Sequence, residues 1–169
     1  MFTVTQAVTA DQLDAVRSLM RAFIAWHRER HFREIALITR YFNPTSFEAE
    51  LANLPGEYAP PAGRLLVAES NGAVVGCVAL RDTGDKTCEM KRMFVYPQFQ
   101  GKGLGRTLAE AIVREARNAG YSKMRLDTGS RQVEAQRLYQ SLGFKTVDPY
   151  YSLPDDLKSW LVFMEIDLN

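Results

Sequence analysis

A mixed α/β layered fold, antiparallel in its first half, is predicted by three features of the chain. Asn71-Gly72 sits between two apolar runs, 65–69 and 73–80, the short-range signature of a two-residue β-hairpin. Leu13, Val16, Met20, Phe23, Ile24 and His27 recur at helical spacing. A strand-like run, 87–96, leads through a glycine-rich loop into a second amphipathic stretch, 103–119.

The elements follow in order. Thr9 and Gln12 form a capping box ahead of a first helix over about 11–31. A second helical pattern covers 34–40. Thr45 and Glu48 offer another box before a short helix that stops near Pro55-Gly56, and Pro60, Pro61 and Gly63 mark a loop. The hairpin strands come next, then a turn over 82–86 and the strand 87–96, ended by Pro97. Gly120 is placed to cap the helix 103–119 in a left-handed conformation. A strand at 123–127, a helix at 131–142 ended by Gly143, and closing strands at 144–147 and 160–167 complete the pattern. No strand is expected in the polar, Thr-rich first ten residues.

Composition narrows the function. The 169 residues suit one domain, 1–169, large enough to bury a core without disulfides or a structural metal. Lys plus Arg is 21 against 20 for Asp plus Glu, so the basic excess of a nucleic-acid binder is missing. Two cysteines without a Cys/His cluster argue against a metal site, and Cys77 and Cys88 read as reduced thiols on neighbouring strands. His27 and His31 stand four apart in H-R-E-R-H, which lacks both the H-E-x-x-H pattern and a third ligand. With no signal peptide and no run of roughly 20 apolar residues, a cytoplasmic location without a membrane partner is expected.

The chemistry concentrates in Val95-Tyr96-Pro97-Gln98-Phe99-Gln100-Gly101-Lys102-Gly103-Leu104-Gly105-Arg106. Three glycines at alternate positions let backbone N–H groups turn toward a ligand. The helix beginning there adds its positive dipole end, and Lys102 and Arg106 add full charges. Together these suit a diphosphate. The spacing fits neither the Walker pattern nor G-x-G-x-x-G, which counts against a mononucleotide site.

This loop has company. Glu89-Met90-Lys91-Arg92-Met93-Phe94 precedes it, and Ala135-Gln136-Arg137-Leu138-Tyr139-Gln140-Ser141-Leu142-Gly143-Phe144 follows after a helix and a strand. The set resembles the GNAT superfamily of acyl-CoA-dependent N-acetyltransferases. Its [QR]-x-x-G-x-[GA] signature is met by Gln100, Gly103 and Gly105. Its A-x-x-L-Y-x-x-x-G-F ending is met by Ala135, Leu138, Tyr139, Gly143 and Phe144. One departure stands out: where many members carry a cofactor-contacting Asn, this chain has Gln132.

The resemblance implies a single GNAT-type domain, its mixed, mostly antiparallel sheet flanked by helices and its two central parallel strands splayed apart. It implies acetyl-CoA as cosubstrate, no metal, an amine acceptor and, in many relatives, a homodimer. Met93, Phe94 and Val95 would pair with the pantetheine arm as an added strand does. An N–H of Met93 or Phe94 would polarise the thioester carbonyl. Residues Gln100, Gly101, Lys102, Gly103, Leu104, Gly105 and Arg106 would hold the pyrophosphate, with Gln132 nearby. Tyr139 is nominated as proton donor to the departing thiolate, although its helical spacing equally suits a core aromatic.

Glu89 is the first choice for receiving the amine proton, with a solvated strand-end charge as the alternative, and Asp127 is the weaker carboxylate. Lys91 and Arg92 should face opposite sides of their strand. Trp26, His27, Phe32, Tyr41 and Phe42 either wall the acceptor site or pack the core. The segment 150–160, with Asp155-Asp156, would cover the acceptor mouth and suit a cationic substrate. A non-catalytic acyl-CoA-binding sensor or partner module would keep the same pocket without turnover.

Overall fold

The computed structural model describes all residues, 1–169. Thirteen elements follow one another: β1 (Phe2–Gln6), α1 (Ala10–Arg30), α2 (Ile35–Tyr41), α3 (Pro44–Ala52), β2 (Arg64–Ser70), β3 (Ala73–Gly84), β4 (Thr87–Val95), α4 (Leu104–Asn118), β5 (Lys123–Gly129), α5 (Val133–Ser141), β6 (Lys145–Val147), α6 (Asp155–Trp160) and β7 (Leu161–Asp167). The strands form one seven-stranded sheet in the order β1-β2-β3-β4-β5-β7-β6. Every pairing is antiparallel except β4 with β5. No helix is long and apolar enough to cross a membrane.

Side-chain alternation assigns the two faces. On β2, Leu66 and Ala68 join the core beneath α4, while Leu65 and Val67 join the one beneath α1 and α3. The α4 stripe of Leu104, Leu108, Ile112 and Ala116 is fully buried. Cys77 and Cys88 are free, buried thiols in the two separate cores, and burial pushes each up to about 12.

Local chemistry sets most boundaries. The Thr9–Gln12 capping box starts α1, and Gly120 and Gly143 follow α4 and α5 with φ of 90° and 104°. Other expectations need correction. The first residues form edge strand β1, whose Phe2 packs edge-on to Phe99. The expected 45/48 box is replaced by Asn43, whose Oδ1 accepts from the N–H groups of Thr45 and Ser46 at 3.1 Å each. Strand β3 runs on to Gly84, so the turn shrinks to Asp85 and Lys86. A short α6 occupies part of the expected closing loop.

The feature that creates the site is the junction of β4 and β5. They pair only at Thr87↔Lys123, Cys88↔Met124 and Glu89↔Arg125. Beyond that the two strands part, while β5 remains paired with β7 along its whole length. A β-bulge lies on β4, because Cys77↔Phe94 and Ala79↔Lys91 leave two β4 residues opposite one on β3. Arg92 sits in it with φ of 57°, held by a bidentate pair with Glu50 at 2.8 Å.

Leu108, fully buried at the centre of the α4 interface, gives a direct test of this packing. Leu108→Ala should lower the unfolding free energy by about 3 kcal/mol, read as a lower urea midpoint at unchanged slope.

Candidate active site

Three cavities adjoin one another where β4 and β5 part. On the α4–α5 side a cavity of about 400 Å³ is walled by the 93–95 backbone, the glycine loop and the start of α5. It shares Phe23, Met93 and Gln132 with a narrow central crevice of about 70 Å³. The crevice in turn shares Tyr41, Lys91 and Arg92 with a cavity of about 550 Å³ on the other side.

The glycine loop is built to present donors. Gly101 and Gly103 take φ of 75° and 81°, where a side chain would be strained. Helix α4 begins after Gly103 without a side-chain cap, and its first intrahelical bond is Thr107 N–H to the Gly103 carbonyl. The N–H groups of Leu104, Gly105 and Arg106 therefore have no partner within the helix. At Gly105 an added Cβ would come into ordinary contact with Leu138 Cδ2 at 3.8 Å, on a wall of the cavity.

The other loop residues divide their roles. Gln100 braces the loop, its side-chain amide donating to the Val95 carbonyl at 2.9 Å. Leu104 is buried and offers only its backbone. Lys102 lies over the Phe99 ring, and Arg106 donates to Ser141 Oγ at 2.6 Å. Of the expected cofactor residues, Met93, Phe94, Val95, Gln100, Gly101, Gly103, Gly105 and Gln132 line the first cavity, whereas the side chains of Lys102, Leu104 and Arg106 do not.

The crevice brings together groups from distant parts of the chain. Tyr139 lines it, 6% exposed, with no hydrogen bond to its hydroxyl; burial raises its phenol above the usual range. Asp127, from the splayed part of β5, accepts from the Tyr41 hydroxyl and from the Tyr151 hydroxyl at 2.5 Å. His27 is 1% exposed, stacks on Trp160 and sits 3.2 Å from the Gln132 amide nitrogen. That amide N–H donates to the neutral imidazole Nε2, which a protonated ring could not accept. Burial pulls His27 down to about 4.

Glu89 lies outside the crevice, at the last position of β4 that pairs with β5. It is 2% exposed, accepts from Tyr150 at 2.6 Å and pairs with Arg81 at 2.9 Å and Lys91 at 3.7 Å. Burial pushes its carboxyl up, but Lys91, Tyr150 and Arg81 outweigh that and hold it below the usual range. Lys91 and Arg92, expected on opposite faces, line the same far-side cavity because the bulge interrupts the alternation between them. Tyr41 and Phe42 line the crevice with His27, Trp26 faces the first cavity, and Phe32 is exposed. The 150–157 segment does border the far cavity, but Asp156 is paired with Arg40 and Asp155 with Lys158.

Comparison with known proteins places the fold in a family. The model of the acetyltransferase (GNAT) family matches residues 38–144, more than half of the chain. An uncharacterized N-acetyltransferase of Schizosaccharomyces pombe is 46% identical over 107 residues, 62% of this chain and 66% of that protein. A Klebsiella pneumoniae structure, provisionally described as an acyl-CoA N-acyltransferase, superposes with a TM-score of 0.74 at 29% identity, covering 100% of this chain and 99% of that one. The PaiA N-acetyltransferase of Thermoplasma acidophilum, solved with coenzyme A, shares the fold at a TM-score of 0.73 and 15% identity, with 99% of each chain covered.

The chain belongs to the GNAT acetyltransferase family. Its sheet, mixed and parted at β4 and β5, is the GNAT-type fold. The matches span about half to two thirds of the length of several curated relatives.

The buried imidazole predicts a pH effect. Folded His27 takes up a proton only near pH 4, whereas its ordinary value is 6.5, so between these values the unfolded chain binds more protons. Stability contributed there is present above pH 6.5 and lost as pH falls through 4. In His27→Phe, the decline in unfolding free energy between pH 7 and pH 4 should shrink by about 2–4 kcal/mol, measured by urea titration.

Proposed function

We propose that the chain moves an acetyl group from acetyl-CoA to a primary amine by direct attack through a tetrahedral intermediate. The observation that carries this reading is the row of adjoining cavities where β4 and β5 part, with a donor-rich glycine loop at one end and a polar cavity at the other. The cofactor would enter from the α4 side. Free N–H groups at the start of α4 suit its pyrophosphate, and the unpaired edge of β4 suits its pantetheine arm.

The antiparallel alternation selects among the β4 amides. Tyr96 N–H bonds the Val75 carbonyl at 3.0 Å, which makes 94 and 77 a hydrogen-bonded pair two residues on. The Phe94 N–H is thereby committed to β3. Met93, in the bulge, is the better donor to the thioester oxygen, and the Val95 N–H faces the gap.

The amine nitrogen would bond to the thioester carbon from the crevice. The carbonyl electrons move onto oxygen, stabilised by the Met93 N–H. The nitrogen then carries a positive charge and must lose a proton. Asp127 is the better recipient, because it lines the crevice and each of its oxygens keeps a lone pair beyond the tyrosine bond. Glu89, held ionised by three partners outside the crevice, suits a structural role at the strand junction. The oxyanion's electron pair then re-forms the carbonyl as the carbon–sulfur bond breaks and its electrons leave with sulfur, to which the Tyr139 hydroxyl supplies a proton that solvent restores. The products are the acetylated amine and free coenzyme A.

Four substitutions separate the parts. Gly105→Leu should weaken acetyl-CoA binding at least tenfold by calorimetry while leaving the melting temperature unchanged; intact binding would refute the loop assignment. Tyr139→Phe should reduce kcat about a hundredfold with little change in cofactor affinity, and unchanged kinetics would return Tyr139 to the core. Asp127→Asn should likewise lower kcat, whereas Glu89→Gln should first cost about 2–3 kcal/mol of stability. Acetyl-CoA binding without thiol release across amines would favour a non-catalytic module instead.

A further inference from the structure

We infer that the acceptor amine carries a carboxylate. This rests on the acetyl-transfer reading above and concerns the far-side cavity, to which that reading assigns only an amine. The cavity lining contains five cations, Arg40, Arg81, Lys91, Arg92 and Arg125, against two acids, Asp85 and Glu89. Their remaining counter-ions lie behind the lining. Arg40 pairs with Asp156, Arg81 with Glu57, Arg92 with Glu50 and Arg125 with Glu165. None of those four carboxylates faces the cavity.

Two of the carboxylates are shared between cations. Glu89 serves both Arg81 and Lys91, and Glu165 serves both Lys123 and Arg125. Lys91 is the least satisfied, its only ionic contact being the 3.7 Å approach to Glu89. Its side chain is 15% exposed, so salt screens it poorly. An amine without a counter-charge would enter a cavity whose lining repels it. A carboxylate would supply the missing partner at Lys91, with Arg81 and Arg125 bordering the same space.

Position strengthens the assignment. Lys91 belongs to both the far cavity and the crevice, and it stands two residues before Met93 on the same strand. A carboxylate held there leaves its amine a short reach from the thioester. The walls are Tyr41, Tyr150 and Tyr151, so an apolar or aromatic side chain on the acceptor is accommodated. Asp155 and Asp156 do not reverse the sign of the field, since Lys158 and Arg40 neutralise them.

The test compares kcat/KM for matched acceptors with acetyl-CoA saturating: phenylalanine against phenethylamine, and lysine against 1,5-diaminopentane. The carboxylate-bearing member of each pair should be favoured at least tenfold, chiefly through KM. Lys91→Gln should narrow that ratio and Lys91→Glu should invert it. Equal rates within pairs, or a preference for the diamine, overturn the inference. Coenzyme A binding by calorimetry with neither member acetylated overturns it too, yet leaves the cofactor site standing. Absence of coenzyme A binding removes the acetyl-transfer reading itself.

Discussion

After Glu89, β4 has no strand beside it on its β5 side, although β3 still pairs its other side to Val95, and the rest of the site depends on that gap. Interior N–H and C=O groups are costly to leave unpaired, so an edge opened in the middle of a sheet is a standing demand for a hydrogen-bonding partner. The gap is enforced rather than accidental. β5 stays in register with β7 from Lys123↔Asp167 to Gly129↔Leu161, while its pairing with β4 stops at Arg125. On the other side, the Arg92 bulge turns β4 away, and the Arg92–Glu50 pair anchors the bulge to α3.

The point of parting is held by charge. Glu89 ties Arg81 on β3, Lys91 on its own strand and Tyr150 of the loop before α6 into one cluster beside the last β4–β5 pair. Just beyond it, Asp127 gathers Tyr41 of α2 and Tyr151. Each carboxylate thus binds a loop tyrosine to the sheet, and the two tyrosines pack on Phe163 of β7. The same groups that brace the junction also shape the far cavity. The two mouths differ in how they attract anions: one uses backbone N–H groups and a helix end, the other uses side-chain cations.

Features written in local chemistry were legible in the sequence. The capping box, the Asn71-Gly72 hairpin, the glycine loop and the left-handed Gly120 and Gly143 each follow from residues within a few positions of one another. Strand β1 was missed although its Phe2-Thr3-Val4-Thr5 alternation is present, because five residues on a sheet edge carry a weak signal. Helix α6 is shorter still, and its stability comes from packing Leu157 and Trp160 on Ile38, a contact across the chain. The bulge had no signal, since a left-handed arginine is stabilised by Glu50 from another element. Its consequence, Lys91 and Arg92 on one cavity, was therefore invisible to a period-two reading. Likewise nothing near Asp127 or His27 announces Tyr41, Tyr151 or Gln132 as partners.

Amide hydrogen exchange along β4 addresses the central claim most directly. Adding acetyl-CoA should slow exchange at Met93 and Val95, whose N–H groups face the gap, and leave Phe94, already bonded to β3, nearly unchanged. If Met93 and Val95 exchange at the same rate with saturating cofactor as without it, the parted strands are not where the cofactor lies and the account fails.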